Sequence, residues 1–246
     1  TGNALQDKGE LKKAIESYKQ AVQIKPDFAE VYNNMGMALK DKGHQEEAIK
    51  NYKQAIIIKP DYAEAYNNMG NALKGLTFQK PNPDLQRIIT SMLDHKTYVR
   101  PPDISKAAIS VLKFEAVIIS FFEKYAAGDL KQSLQKIISD LSELPLLLKL
   151  MSVCPLADLE LEKVLKEIRF RLLLSMSKLT TSPAVLKFQS ALALQCFTNE
   201  YIYNQNDADT KALQRLETLV QKAFTKGEQP NPSSVLCLAS YKALHA

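Results

Sequence analysis

Between Gly2 and Lys74 the apolar residues fall at helical spacing, and the spacing itself repeats. Laid on itself at an offset of 34 residues, TGNALQDKGELKKAIESYKQAVQIKPD aligns with MGMALKDKGHQEEAIKNYKQAIIIKPD and then with MGNALKG. A period of that size is the signature of stacked helical units. In the complete unit, 29–62, Tyr32, Met35, Gly36 and Leu39 fall on a first helix, while Ala48, Tyr52, Ala55 and Pro60 mark a second helix and its end. Gly2, Leu5, Ala14, Tyr18, Ala21 and Pro26 hold the same places in the unit before it, and Tyr66, Met69, Gly70 and Leu73 in the unit after it.

Each recurring residue type has a physical task. Gly36 and Ala48 are small where two antiparallel helices must approach closely, and Tyr32 and Tyr52 supply broad rings that fill the gaps between them. Gly9 and Gly43 sit in DKG segments, where a residue tolerant of positive φ ends the first helix. Pro26 and Pro60 stop the second helix, because proline has no amide hydrogen and disfavours helical geometry in the residue ahead of it. One hairpin cannot bury its own apolar face, so neighbouring hairpins must stack.

These positions resemble those of the tetratricopeptide repeat family. The resemblance implies two and a half helical hairpins over residues 1–76, wound into a right-handed superhelix whose concave groove binds a protein or peptide segment. In that family the first helix of each unit lines the concave side. The equivalent surface here carries YNNMG twice, so Asn33 and Asn34 recur as Asn67 and Asn68, accompanied by Glu30 and Glu64, Met37 and Asn71, and Lys40 and Lys74. A carboxamide both donates and accepts, so asparagines repeated at each rung suit the backbone of an extended peptide whatever its side chains. The arrangement resembles the asparagine ladder in the repeat arm of O-GlcNAc transferases. It departs from repeats that clamp a C-terminal carboxylate, which place a lysine before the inner asparagine where Asn33 and Asn67 stand here. The alternative is that these asparagines face solvent or bond to neighbouring units.

The repeat stops after Lys74: Gly75-Leu76-Thr77-Phe78 replaces the DKG turn, and Pro81 and Pro83 forbid a second helix of the usual kind. Residues 77–246 are expected to form a separate, non-repeating helical domain, with the helix from Pro83 (Leu85, Ile88, Ile89 and Met92 on one stripe) able to cap the last hairpin. Further helices are expected over 103–126, 129–141, 145–153, 156–179, 183–203 with Ser182 as N-cap, 208–226 and 233–246. No stretch alternates as a strand, so the fold class is all-α. Phrases such as LSELPLLLKLMSVCPLADLELE and FQSALALQCFTNEYIYNQ are similar to the helical segment between repeats and catalytic domain in bacterial tetratricopeptide-repeat methyltransferases. That resemblance covers 76–246, and it implies a parent chain continuing into an S-adenosylmethionine-dependent fold.

Composition narrows the function. Hydrophobic residues make up 46% of the 246 and charged residues 24%, enough for a sizeable core in a water-exposed protein. The formal charge of +5 is spread along the chain, not gathered into a tract, which argues against nucleic acid. Cys154, Cys196 and Cys237 lie far apart inside apolar helical patterns, as reduced core thiols of a cytoplasmic protein would. The apolar stretch 144–156 is broken by Pro145, Lys149 and Pro155 and is too short to cross a bilayer. His44, His95 and His245 stand apart from any nucleophile and acid. Asp158, Glu160 and Glu162 suit a helix start. Arg169 and Arg171 read as solvated or ion-paired charges on separate faces. Phe197, Tyr201 and Tyr203 end a helix as either a core edge or a pocket. The sequence therefore points to a protein-interaction scaffold without catalytic residues, metal or cofactor of its own, able to self-associate through exposed repeat ends. The alternative is the substrate-recruiting part of a methyltransferase.

Overall fold

The computed structural model describes residues 2–94, 99–127, 133–176, 179–198 and 207–242, and among these residues it contains fourteen α-helices and no strand. They divide into two compact units, Thr1–Ala107 and Ala108–Ala246.

The first unit opens with the hairpins α1 (Gly2–Asp7) with α2 (Leu11–Ile24) and α3 (Ala29–Asp41) with α4 (Gln45–Ile58), followed by α5 (Ala63–Leu73). Each helix packs on its sequence neighbour, α2 on α3 and α4 on α5, as stacked hairpins require. The small residues do what their spacing predicts. A Cβ built on Gly2 would lie 2.4 Å from the Tyr18 ring, and one on Gly36 would lie 2.6 Å from the Tyr52 ring. Gly9 and Gly43 take φ of 74° and 85°, the left-handed geometry that closes each hairpin turn.

In the third unit the tyrosine position is Gln86, and Gly70 instead approaches Val99 and Met92. Gly75, at φ 73°, ends α5 two residues before the position where the DKG glycine would fall. The chain then enters α6 (Pro83–Asp94), which buries Leu85, Ile88, Ile89 and Met92 as its stripe predicts. Lys53 on α4 reaches Asp84 at 2.8 Å, and the hydroxyls of Tyr66 on α5 and Ser91 on α6 are 3.4 Å apart, so α6 covers the last hairpin. The first compact unit thus outlasts the repeats and takes in the start of α7 (Pro101–Leu112).

Beyond α6 the largest departure from expectation is a break in one helix, while α11 and α14 are shorter than expected. The helix anticipated over 103–126 is two, α7 and α8 (Ala116–Ala126), separated at Lys113–Glu115, where Glu115 turns extended at ψ 130°. Neither glycine nor proline marks the break. Lys113 pairs with Asp158 at 2.7 Å and Glu160 at 2.9 Å and lies 5.8 Å from the Phe122 ring centre, so tertiary contacts hold the corner. The remaining helices are α9 (Leu134–Ser142), α10 (Pro145–Val153), α11 (Leu159–Ser175), α12 (Pro183–Thr198), α13 (Asp207–Thr225) and α14 (Pro232–Ala239). Ser182 accepts from the Val185 amide, the cap its position predicts. Asp158 and Asn231 cap α11 and α14 in the same manner.

Helix α12 sits at the centre of this unit, packed on α9, α10 and α14. All three cysteines are buried there, and burial pushes the Cys154 thiol up to about 11 and the Cys237 thiol to about 12. Arg169 corrects the sequence reading. It is 4% exposed, donates to the Ser240 carbonyl at 3.3 Å and to Cys196 Sγ at 3.8 Å, and stacks 4.5 Å from the Tyr241 ring centre. Among the described residues no helix is long and apolar enough to cross a membrane.

Candidate functional site

The first helices α1, α3 and α5 carry the asparagines side by side, and packing sorts these into different roles. Asn33 is fully buried. Its amide donates to Glu64 Oε1 at 3.1 Å and approaches Met37 Sδ at 3.9 Å, while its carbonyl oxygen accepts from Asn68 Nδ2 at 3.0 Å. Asn33 is therefore the polar bolt of the α3–α5 seam. Its side chain is enclosed by the following unit and is not presented outward. Its repeat equivalent, Asn67, is exposed.

One rung earlier the link runs through a different residue. Asn34 donates to Asn3 Oδ1 at 3.1 Å, and the same oxygen accepts from the Tyr18 hydroxyl at 2.7 Å, which also lies 3.0 Å from Gln6 Oε1. Asn3 and Gln6 belong to the site although the YNNMG pattern does not contain them. The 34-residue offset would have found Asn3, since it aligns with Met37 and with Asn71.

The remaining candidates lie at the surface. Asn67 and Asn71 are exposed one helical turn apart on α5, and Lys40 is exposed near the end of α3. Lys74 pairs with Asp103 at 3.2 Å. Exposed Glu30 lies 3.9 Å from Lys59 Nζ, and that ammonium sits 4.9 Å from the Tyr62 ring centre. Lys25 and Phe28 repeat this cation–aromatic contact at the same 4.9 Å one unit earlier. The Tyr62 hydroxyl is held above its usual pKa, first by burial and then by the negative charges of Glu64 and Glu30. The face thus combines uncharged amides with two acidic side chains and exposed Lys40, a chemistry of hydrogen bonding and weak ionic contact.

His44 precedes α4 and pairs with Glu47 at 3.2 Å. Phe197 is 63% exposed at the end of α12. His95, His245, Tyr201 and Tyr203 lie outside the described residues. Among the described residues no group of three or more histidine, cysteine or acidic side chains is placed to hold a metal ion.

Comparison with known proteins agrees with this architecture. The family model described as TPR repeat matches residues 2–43 and, overlapping, residues 36–76. Residues 2–76 are therefore similar to tetratricopeptide repeats, which generally mediate protein–protein interaction. No curated protein matches the chain.

Proposed function

We propose that the face built by α1, α3 and α5 is a docking groove for an extended segment of a partner protein. The observation that carries this reading is the pair Asn67 and Asn71, exposed a turn apart on α5 and aligned with Asn33 and with Asn3 of the preceding helices. Two carboxamides at that spacing reach both the donors and the acceptors of an extended backbone. Asn34 and Asn68, each half-buried, extend the row while also joining the rungs. For this reason the cleanest test replaces Asn67 and Asn71 together by alanine. Affinity for a bound segment, measured by calorimetry, is expected to fall by about tenfold or more, with the melting temperature unchanged. Undiminished affinity would reject the groove.

The wording of residues 76–246 favours a second, compatible reading, in which this chain recruits substrate for an S-adenosylmethionine-dependent methyltransferase. On that reading the selected partner carries a methyl acceptor, and mass spectrometry of the bound protein from source cells would reveal the methyl mark. The three buried thiols support placing the protein in a reducing compartment such as the cytoplasm.

A further inference from the structure

The two complete repeat units seat the same tyrosine against the same glycine, but among the described residues only the first gives its hydroxyl a partner. A Cβ on Gly2 would meet Cε1, Cδ1 and Cζ of Tyr18, and one on Gly36 the same three atoms of Tyr52. In the first unit Asn3, which follows Gly2, supplies one oxygen to two donors, the Tyr18 hydroxyl and the Asn34 amide. In the second unit the residue after Gly36 is Met37, which has no oxygen to offer, and Gln6 is replaced by Lys40, which only donates. Tyr52 is 0% exposed, and among the described residues its hydroxyl oxygen has no hydrogen-bond partner. The second donor of that node, Asn68, bonds Asn33 instead.

A buried hydroxyl without a partner has lost its hydrogen bonds to water and gained none, so a unit that keeps tyrosine here keeps a penalty that an acceptor from outside would relieve. We infer that the groove takes a neutral oxygen acceptor of the bound segment, a main-chain carbonyl, at the Met37 position, where it fills the place Asn3 Oδ1 holds one rung earlier. Met37, half-buried and 3.9 Å from Asn33 Nδ2 through its Sδ, holds in this unit the position of Asn3, and its flexible thioether is the side chain that would have to move. An acceptor reaching that position would take the Tyr52 hydroxyl as its donor, as Asn3 Oδ1 takes the Tyr18 hydroxyl. A carboxylate is the wrong occupant, because Tyr52 is buried, the negative charge of Asp41 already acts on its hydroxyl, and Glu30 and Glu64 stand on the same face. Every peptide unit of an extended segment offers the neutral carbonyl instead.

This inference rests on the groove reading above, and one set of measurements separates the two. The probe is a linear peptide selected on the intact chain from a random displayed library. Tyr52→Phe, which keeps the ring, should weaken this peptide roughly three- to tenfold while the protein melts at the same temperature or higher. Met37→Asn should supply the missing oxygen internally, raising the melting temperature and weakening the peptide by a similar factor. Replacing peptide bonds one at a time by alkene isosteres should reveal one carbonyl whose loss costs affinity in the native protein and nothing in Tyr52→Phe. If the peptide binds native protein, Tyr52→Phe and Met37→Asn equally but loses affinity on Asn67→Ala with Asn71→Ala, the carbonyl site is wrong and the groove stands. A library yielding no peptide, or one indifferent to all four positions, overturns both.

Discussion

Tyr18 and Tyr52 show how a single exchange of neighbours changes what a residue is worth. The Tyr18 hydroxyl donates to Asn3 and lies within reach of Gln6, so Tyr18→Phe should cost about 1 kcal/mol in urea unfolding. Tyr52→Phe removes a buried hydroxyl that has no partner among the described residues and is expected to leave stability unchanged or raise it by about 1 kcal/mol. A comparable loss in both variants would mean that the second hydroxyl is satisfied. The asparagines divide similarly. Asn68→Ala takes away the donor that serves the buried oxygen of Asn33 and should cost about 1–3 kcal/mol, whereas exposed Asn67→Ala should stay within about 0.5 kcal/mol. The sequence presented Asn33 and Asn67 as equals because a repeat shows identity of position, and burial depends on whether another unit follows.

Among the elements, those closed by local signals were legible and those shaped by distant contacts were not. The hairpin turns follow from Gly9 and Gly43, α10 begins at Pro145 where expected, and α12 begins after the Ser182 cap. At Gly36 the closeness of two helices is also written in the residue type, and a Cβ there would press on the Tyr52 ring at 2.6 Å. Gly36→Ala is accordingly expected to cost about 1–3 kcal/mol by overpacking, seen as an earlier urea midpoint with secondary structure otherwise retained. An unchanged midpoint would show that Tyr52 yields freely. The corner between α7 and α8 carries no such mark. Lys113 and Phe114 are acceptable helix residues, and the break follows from the pairing of Lys113 with Asp158 and Glu160, more than forty positions away in sequence. The candidate face was half legible for the same reason: YNNMG announces the row, while the partners Asn3, Gln6 and Asp103 come from other helices.

Across the whole molecule the contrast lies in contact range. Hairpins of the first unit pack on their sequence neighbours, so a 34-residue period suffices to describe them. The second unit is tied by pairs such as Gln189 with Ser233, 2.7 Å apart, and Arg169 with Ser240, separated by 44 and 71 positions. No pattern along the chain announces them, and for that reason Arg169 reads from the sequence as a solvated or ion-paired charge. Arg169 holds its place by planarity: its guanidinium stacks on Tyr241 while one edge reaches the Ser240 carbonyl and Cys196. A lysine supplies the charge but neither the stacking plane nor the fork of donors. Arg169→Lys should therefore fail to rescue, with both it and Arg169→Leu losing about 2–4 kcal/mol in unfolding followed by the fluorescence of the second unit's tyrosines. The lysine variant separates the alternatives, since near-native stability there would show that Arg169 acts as a charge alone and that the stack on Tyr241 contributes little.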